Sequence, residues 1–396
     1  MRTFAFPILA LVMLPGIGSA ASFTPLGITP GGFYDTRSPL DISADGTTVV
    51  GAMYINNQQQ AVRWTNGSSP QSMGFMLAGN SSRATAVSAN GSVIVGTGNR
   101  APGGETRGFR WTEATGMQGI GDIPEGGNYQ YALGVSADGA VVTGYSSTTI
   151  NGEAFRWTES DGPQPIGTLP YGGSRYSEGL AISADGSVIV GQSTGTVGTS
   201  SGRQAIRWTA SSGMIPLTPL PEAAATVALA ISADGSVIVG NSYVPGCFEC
   251  GTLARNNAVS WTNEGPATLL GQVPGGDRGS SALAASADGS VIVGVSFEVE
   301  DPFRGGRAFI WTANNGMQKL FDVLVMQGAT DVTGWTLLQA DAVSADGRTI
   351  TGQGLNPDGM AQPFVVTLNP VPIPAAVWLF GSALAAMGWL RRKNAA

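Results

Sequence analysis

The sequence predicts an all-β fold, a seven-bladed β-propeller of four-stranded blades. Three observations predict it: a Ser-Ala-Asp/Asn-Gly element recurs seven times, an apolar run follows each copy, and an aromatic strand comes after the run. The copies lie 45 to 58 residues apart, and about 40–50 residues is typical of one propeller blade. The seven elements begin at Ser43, Ser88, Ser136, Ser183, Ser232, Ser286 and Ser344.

Four short strands, named a to d, are predicted within each repeat. In the fourth repeat they cover residues 180–183, 188–190, 206–209 and 214–217. The Asp-Gly pair between a and b is typical of a tight hairpin turn, because such a turn requires positive φ. Strand b is apolar on both faces, which favours a sheet packed between two other sheets.

The N-terminal strand is predicted to close the circle of blades. Residues 23–27 match strand d and precede the first Ser-Ala-Asp-Gly element, whereas the seventh repeat ends after its strand c. A strand from the start of the chain can therefore complete the seventh blade and leave no open sheet edge.

The recurrent polar and aromatic residues of the repeat are predicted to be structural. Seven equivalent turn aspartates cannot all meet one substrate, and the asparagine of the second copy can accept the same backbone hydrogen bonds. The tryptophans stand mid-strand beside apolar neighbours, so we expect them between blades rather than as sugar-stacking platforms. They are Trp64, Trp111, Trp157, Trp208, Trp261 and Trp311.

Residues 1–21 are predicted to be a signal peptide. A basic start at Arg2 precedes an apolar run, and a Gly-Ser-Ala-Ala sequence then supplies the small residues that signal peptidase requires. We expect cleavage after Ala20 or Ala21, and the alternative is an uncleaved anchor. The propeller then occupies residues 22–369.

The C-terminal segment, residues 370–396, is predicted to be a membrane-sorting signal. Its residues 375–390 carry no charge and are long enough for a short hydrophobic transmembrane helix, and the basic cluster after them should remain cytoplasmic. The proline motif and the basic cluster comprise Val371, Pro372, Pro374, Ala375, Arg391, Arg392 and Lys393.

This tripartite tail resembles the PEP-CTERM sorting signals of Gram-negative bacteria, in their VPxPA variant. The resemblance implies an exosortase-type processing protease as a partner, which cuts near the proline motif, and transient anchoring in the inner membrane. Ile373 stands where that family has its central glutamate, so the cut position stays open. The alternative is a plain C-terminal anchor.

The charge of the mature body excludes one class of partner. Without the two ends, sixteen basic residues face twenty-seven acidic ones, a net charge near −11. Such a surface repels nucleic acid, and no basic stripe offsets the repulsion. The composition is consistent with a soluble, extracellular body.

Cys247 and Cys250 are the two cysteines, in a C-x-x-C arrangement. A redox centre would need a helix N-terminus to activate the thiol, and zinc would need two further ligands. Glycines and strand-like sequence surround the pair, and the chain has no histidine. We expect a disulfide that fixes a loop in an oxidising compartment.

The absence of histidine excludes a Ser-His-Asp triad, a histidine metal site and an imidazole base. We therefore predict a protein that is not an enzyme and needs no cofactor or metal. The alternative is a propeller-type glycosidase or lyase that uses loop carboxylates. The candidate acids are Glu298, Glu300 and Asp301.

The tyrosines indicate a candidate ligand-binding face. All eight lie in the d–a or b–c connections or at the end of strand b, and these positions share one face if d is the outermost strand. A tyrosine offers a flat apolar ring with a polar hydroxyl, which suits glycans or protein partners, although loop tyrosines also pack locally. The candidates are Tyr34, Tyr129, Tyr131, Tyr171, Tyr176 and Tyr243.

The repeats as a whole resemble the HAF repeat of extracellular bacterial proteins. The shared features are the Ala-Phe-x-Trp strands, the Ser-Ala-Asp-Gly turns and the Gly-Gly connectors, over residues 23–368. The resemblance implies an exported protein of the cell surface or extracellular matrix. The predicted function is a non-catalytic scaffold that binds polysaccharide or a surface protein.

Overall fold

The structure is a computed structural model in which these residues are described: 20–36, 40–123, 126–148, 152–170, 176–197, 200–246, 254–262, 265–298 and 306–369. The signal segment up to residue 19, the sorting segment from Pro370 onward, and the predicted disulfide of Cys247 and Cys250 lie outside the described residues. Within the described ranges, no helix is long and apolar enough to cross a membrane.

The described residues form 29 strands and one helix. The first fourteen strands are β1 (Ser22–Pro25), β2 (Phe33–Tyr34), β3 (Asp41–Ile42), β4 (Thr48–Ile55), β5 (Gln58–Thr65), β6 (Gln71–Ser72), β7 (Ser82–Val87), β8 (Val93–Asn99), β9 (Thr106–Thr112), β10 (Gly116–Gly119), β11 (Gly126–Val135), β12 (Val141–Thr148), β13 (Gly152–Thr158) and β14 (Gly162–Pro165).

The remaining strands are β15 (Ser177–Ile182), β16 (Val188–Val197), β17 (Ser200–Thr209), β18 (Gly213–Pro216), β19 (Ala225–Ile231), β20 (Val237–Val244), β21 (Arg255–Thr262), β22 (Thr268–Gly271), β23 (Gly276–Ala285), β24 (Val291–Glu298), β25 (Gly306–Thr312), β26 (Gly316–Lys319), β27 (Thr336–Val343), β28 (Thr349–Leu355) and β29 (Ala361–Thr367). The helix α1 (Leu320–Met326) lies between β26 and β27.

The strands form repeated antiparallel units in the order a, b, c, d, as in β15-β16-β17-β18 of unit 4. Each strand a contacts strand a of the neighbouring units, and β27 of unit 7 contacts β3 of unit 1. Strand a is therefore central and strand d is outermost. In unit 1, strand a is divided into β2 and β3, which both pair with β4. The predicted β-propeller fold is confirmed.

The N-terminal strand completes the last unit, as predicted from the sequence. β1 pairs antiparallel with β29, with Ser22 opposite Thr367. The Phe23 side chain is buried, and its ring centroid lies 4.9 Å from that of Trp335 and 5.6 Å from that of Phe364. Unit 7 therefore takes its outer strand from the start of the chain, in the order β1-β29-β28-β27.

The Ser-Ala-Asp/Asn-Gly turns are joined by a closed ring of backbone hydrogen bonds, here called the alanine ring. The alanine N–H of each turn donates to the alanine carbonyl of the next turn, at 2.9–3.0 Å. The ring runs through Ala44, Ala89, Ala137, Ala184, Ala233, Ala287 and Ala345. Ala345 in the last turn donates to Ala44 in the first, so the described turns are held to one another around a complete circle.

The serine and aspartate side chains hold each turn together. In unit 4 the Ser183 hydroxyl donates to Asp185 Oδ1 at 2.6 Å and accepts from the Val188 N–H at 3.0 Å. Asp185 Oδ1 also accepts from the Ser187 N–H at 3.0 Å. The Ser183 hydroxyl, and then the Ser187 N–H, hold the Asp185 pKa below its usual value. Asn90 accepts the equivalent bonds in unit 2, so the turn requires an acceptor oxygen.

A glycine recurs in strand b, beside a bulge in strand a. In unit 4 the pairing of β15 with β16 shifts between Gly179 and Ala181, opposite Gly191. A Cβ atom on Gly191 would lie 1.9 Å from the Glu178 carbonyl oxygen, so only glycine fits. Equivalent approaches of 1.9–2.1 Å occur at Gly96, Gly144, Gly240, Gly294 and Gly352.

The repeated tryptophans contribute to the core between units, as expected, and none of the six is exposed. Trp64 and Trp261 are fully buried, and the indole N–H of Trp261 donates to the Thr218 carbonyl at 2.8 Å. Helix α1, which the repeat pattern does not predict, adds the buried side chains of Leu320 and Leu324 to the core of unit 7.

Buried carboxyl groups lie at the junctions of unit 1 with its neighbours. Asp341 on β27 accepts from Gln339 Nε2 through Oδ1, and a backbone hydrogen bond from Leu40 also favours its ionised form. Burial raises the Asp341 pKa to about 7. Asp41 on β3 accepts from the Val87 N–H of unit 2 at 2.8 Å, and burial raises the Asp41 pKa to about 6.

We predict that Asp185→Ala lowers the melting temperature by roughly 2–5 °C. The turn then loses the acceptor of its hydrogen bonds, each of which contributes about 1 kcal/mol. Asp185→Asn keeps an acceptor oxygen, as Asn90 does in unit 2, and should lose less than half as much. Differential scanning calorimetry at pH 7 measures both. An alanine variant as stable as the wild type would contradict a structural role for the turn acid.

We predict that Asp341→Asn stabilises the protein at pH 8 and changes little at pH 4. The pKa of the Asp341 carboxyl group is about 7 in the folded chain and about 3.9 in the unfolded chain. Between these two pH values the folded chain stays protonated at Asp341, whereas the unfolded chain has lost the proton. Stability contributed by this group therefore falls as pH rises from about 4 to about 7. Asparagine does not ionise, so the variant does not lose stability as the pH rises. Its melting temperature at pH 8 should be roughly 3–10 °C above that of the wild type.

The control for this variant is Asp358→Asn, which changes an exposed carboxyl group in the same unit. Melting curves from pH 4 to pH 8 should show a gain with pH for Asp341→Asn and none for Asp358→Asn. An Asp341→Asn variant that is less stable than the wild type at pH 8 would show that the ionised carboxylate is needed there.

Candidate ligand-binding face

The strand order defines two faces of the propeller. Because antiparallel neighbours alternate in direction, the a–b and c–d turns share one face, here called the turn face. The b–c and d–a connections share the opposite face, here called the connection face. Residues at the start of strand a and at the end of strand b therefore belong to the connection face.

Three tyrosines form a continuous stack on the connection face, across units 3 and 4. Tyr131 on β11 is paired with Tyr145 on β12, and their ring centroids are 6.1 Å apart. The Tyr145 centroid lies 5.4 Å from that of Tyr176, which precedes β15. The Tyr145 ring covers Gly152, where a Cβ atom would lie 2.0 Å from the ring. Glycine at position 152 therefore makes room for the stack.

Polar groups surround the end of the stack at Tyr176. The Tyr176 hydroxyl donates to one carboxylate oxygen of Glu178, and Gln192 Nε2 donates to the other. The Arg203 guanidinium lies 5.6 Å from the Tyr176 ring centroid, within the range of a cation–π interaction. Burial, and then the hydrogen bond to Glu178, raise the Tyr176 pKa, so the hydroxyl stays a donor at neutral pH.

The most exposed aromatic rings also lie on the connection face. The exposed fractions are 55% for Phe33, 53% for Tyr129, 40% for Tyr243 and 38% for Phe297. Phe33 and Tyr129 lie in the first part of strand a, and Tyr243 and Phe297 lie one residue before the end of strand b. Among the described residues, no other phenylalanine, tyrosine or tryptophan is exposed to this degree.

Sequence reasoning did not select Phe33, Phe297 or Tyr145 as site residues. Phe33 and Phe297 lie at or next to the connection-face end of a strand, and Tyr145 lies near the middle of β12. Phe33 stacks on Tyr54 with ring centroids 4.7 Å apart. Position in the repeat was the signal that could have found them. The prediction considered only tyrosines at such positions, so the two phenylalanines were not selected.

Tyr34 does not belong to the exposed surface, contrary to the prediction. Its side chain is 4% exposed and lies in the same core cluster as Trp64. Burial, with the charges of Asp341 and Asp35 nearby, raises its pKa well above the ordinary value. Successive side chains of a strand point to opposite faces, so the adjacent Phe33 points outward where Tyr34 points inward.

Of the candidate acids, Glu298 is held by two ion pairs. Its Oε2 lies 3.1 Å from Arg307 Nη2, and its Oε1 lies 2.6 Å from Lys319 Nζ. The Glu298 side chain is 16% exposed. Three other predicted site residues lie outside the described residues: Tyr171, Glu300 and Asp301.

Solved structures with this architecture are β-propellers. The β-propeller domain of the Trilobed protease from Pyrococcus furiosus is 11% identical, with a TM-score of 0.55 over 84% of this chain and 95% of that one. Oligogalacturonate lyase from Vibrio parahaemolyticus is 10% identical, with a TM-score of 0.51 over 88% and 97%. TolB from Acinetobacter baumannii is 15% identical, with a TM-score of 0.45. The alignment covers 69% of this chain and 62% of TolB.

No protein-family model matches the sequence, and no curated protein matches it. The Pyrococcus furiosus domain is described as having an open velcro topology, whereas β1 pairs with β29 here. At these identities the similarity shows the fold alone. The chain is a β-propeller whose exposed aromatic rings share one face.

Proposed function

We propose that this chain is a non-catalytic, exported protein of the cell surface or extracellular matrix, and that its connection face binds polysaccharide. The observation that carries this proposal is the confinement of the exposed rings of Phe33, Tyr129, Tyr243 and Phe297 to that face. Flat apolar rings stack on the apolar faces of sugars, and neighbouring polar groups bind the sugar hydroxyls.

The distribution of these rings favours an extended polymer over a globular partner. They belong to units 1, 3, 5 and 6, so they are spread around the face and do not form one patch. A stable protein interface buries about 800 Å² on each partner, around a contiguous apolar centre. Separate weak contacts along one polymer reinforce one another through effective concentration. A polysaccharide fits such an arrangement.

The tyrosine stack supports the exposed ring of Tyr129. The Tyr129 N–H donates to Ser147 Oγ at 3.0 Å, and the Ser147 hydroxyl donates to the Tyr129 carbonyl at 3.1 Å. Tyr131, two residues along the same strand, is held by the stack with Tyr145. A ring on a fixed strand loses less conformational entropy when a ligand binds.

Two observations favour binding without catalysis. The sequence contains no histidine. Glu298 is engaged by Arg307 and Lys319, so a partner acid would have to act beside a carboxylate that is already paired. Neither oxygen of Glu298 is positioned as a free nucleophile or proton donor.

We further propose that residues 1–20 direct export and that an exosortase-type protease processes the C-terminal segment. Ala21 is buried, and its N–H donates to the Gln327 carbonyl at the end of α1, at 3.1 Å. Cleavage after Ala20 would place the new ammonium group beside the carbonyl end of that helix, where positive charge is favourable. This contact favours Ala21 as the first mature residue.

Protein isolated from its native host should begin at Ala21 and lack the segment that follows Pro374. Intact-mass measurement of the released fraction tests both ends. A released species that retains Trp378 and Trp389 would show that the tail is not a sorting signal.

Replacing Tyr129 and Tyr243 together by alanine should weaken polysaccharide binding about tenfold, since each stacked ring contributes about 0.5–1.5 kcal/mol. The matched variant replaces both by phenylalanine, which keeps the rings, and should bind within about twofold of the wild type. Biolayer interferometry on the immobilised extracellular polysaccharide of the host measures both affinities. A folded alanine variant that binds as tightly as the wild type would rule out this face.

A further inference from the structure

A cavity of about 230 Å³ opens between units 6 and 7. It lies at the connection-face end of β25 and β27, beside α1. Its wall combines charged, polar and aromatic side chains: Arg307, Lys319, Phe321, Asp322, Trp335 and Thr336.

The only lysine in the first 392 residues of the chain lies in this wall. Lys319 Nζ and Arg307 Nη2 flank the carboxylate of Glu298 at 2.6 Å and 3.1 Å. One carboxylate between two cations leaves this triad with one positive charge, which the carboxylate of Asp322 in the same wall balances, so the two cations act on a ligand through directed hydrogen bonds and not through net charge. An ammonium group has three N–H donors, so Glu298 can orient Lys319 while donors remain for a ligand.

In unit 2 the arginine at the equivalent position is paired with two carboxylates. By place in the repeat, Arg107 corresponds to Arg307 and Asp122 to Asp322. Arg107 Nε lies 2.7 Å from Asp122 Oδ1, its Nη2 lies 2.6 Å from Glu105 Oε2, and its side chain is 7% exposed. Two carboxylates therefore form ion pairs with the arginine of unit 2, and Asp122 also pairs with Arg100 at 3.4 Å.

Unit 6 departs from this pattern at three places. Lys319 replaces the glycine found at position 119, and Phe321 replaces the glycine found at position 121. Arg307 pairs with Glu298, its side chain is 31% exposed, and the exposed Asp322 lines the cavity. At this position unit 6 therefore has a lysine at the end of strand d and an aromatic ring, both in the wall of the cavity.

We infer that this cavity binds one sugar residue that carries a carboxylate, such as a uronate at the end or on a branch of a polysaccharide. Lys319 and Arg307 donate charge-assisted hydrogen bonds to the carboxylate. Asp322 and Thr336 bind hydroxyl groups, and Phe321 contacts the apolar face of the sugar. Pockets for larger ligands measure roughly 300–1,000 Å³, so this cavity suits a single residue.

The overall charge of the body explains why one acidic residue is favoured over an acidic polymer. With a net charge near −11, the mature surface repels long polyanions, and the two cations act only at short range. This site lies between units 6 and 7, whereas Tyr129 and Tyr243 belong to units 3 and 5. The alanine variants of those two tyrosines therefore test the polysaccharide proposal without changing this site.

Lys319 offers a direct spectroscopic test on the full chain. Reductive methylation with ¹³C-formaldehyde labels Lys319, Lys393 and the α-amine, and the Lys319→Arg variant identifies the Lys319 signal by its loss. Cellobiouronic acid and cellobiose differ by one carboxylate and serve as the probe and its neutral match. We expect a saturable shift of the Lys319 signal with the acid, and binding at least about tenfold weaker for cellobiose.

Three variants complete the test by titration with the same two sugars. Lys319→Met should weaken binding of the acid at least about tenfold, and Lys319→Arg should stay within about threefold of the wild type. Arg100→Met removes an exposed cation elsewhere on the connection face and should leave the affinity unchanged.

Three results would each overturn the inference: no saturable shift, equal affinity for cellobiose, or a folded Lys319→Met variant that binds the acid normally. If Lys319→Met fails to fold, the comparison of the two sugars on the wild-type protein still decides.

Discussion

The pairing of β1 with β29 is the interaction on which the rest of the structure depends. It gives unit 7 its fourth strand and places Phe23 against Trp335 and Phe364 in a core that also includes α1. It also joins the two ends of the described chain, so the units form a circle and the alanine ring can close from Ala345 to Ala44. A closed circle in turn brings the b–c and d–a connections together on one face.

The fold could be predicted because each repeat carries its own local signals. The Asp-Gly pair predicts the hairpin turn, the apolar run predicts a strand packed on both sides, and the order of segments predicts closure by the N-terminal strand. Two features could not be predicted in this way. The bulge opposite Gly191 depends on backbone pairing between strands, and α1 interrupts the repeat instead of following it.

The candidate site could be predicted only in part. Placement on the connection face follows from topology, so Tyr129 and Tyr243 were found. Tyr34 was not predicted correctly, because strand a of unit 1 is divided and the side-chain alternation across such a strand cannot be read from one tyrosine. The cavity beside Lys319 depends on ion pairs between three strands, and their geometry exists only after folding.

Closure of the circle by β1 is tested most directly by hydrogen exchange on a Phe23→Asp variant, which places a charge in the core of unit 7. Exchange should accelerate mainly in β27, β28 and the Ala44 turn, while units 3 and 4 keep their protection, because opening begins at the junction of units 7 and 1. Unchanged exchange in unit 7, or equal acceleration in every unit, would contradict closure by this strand.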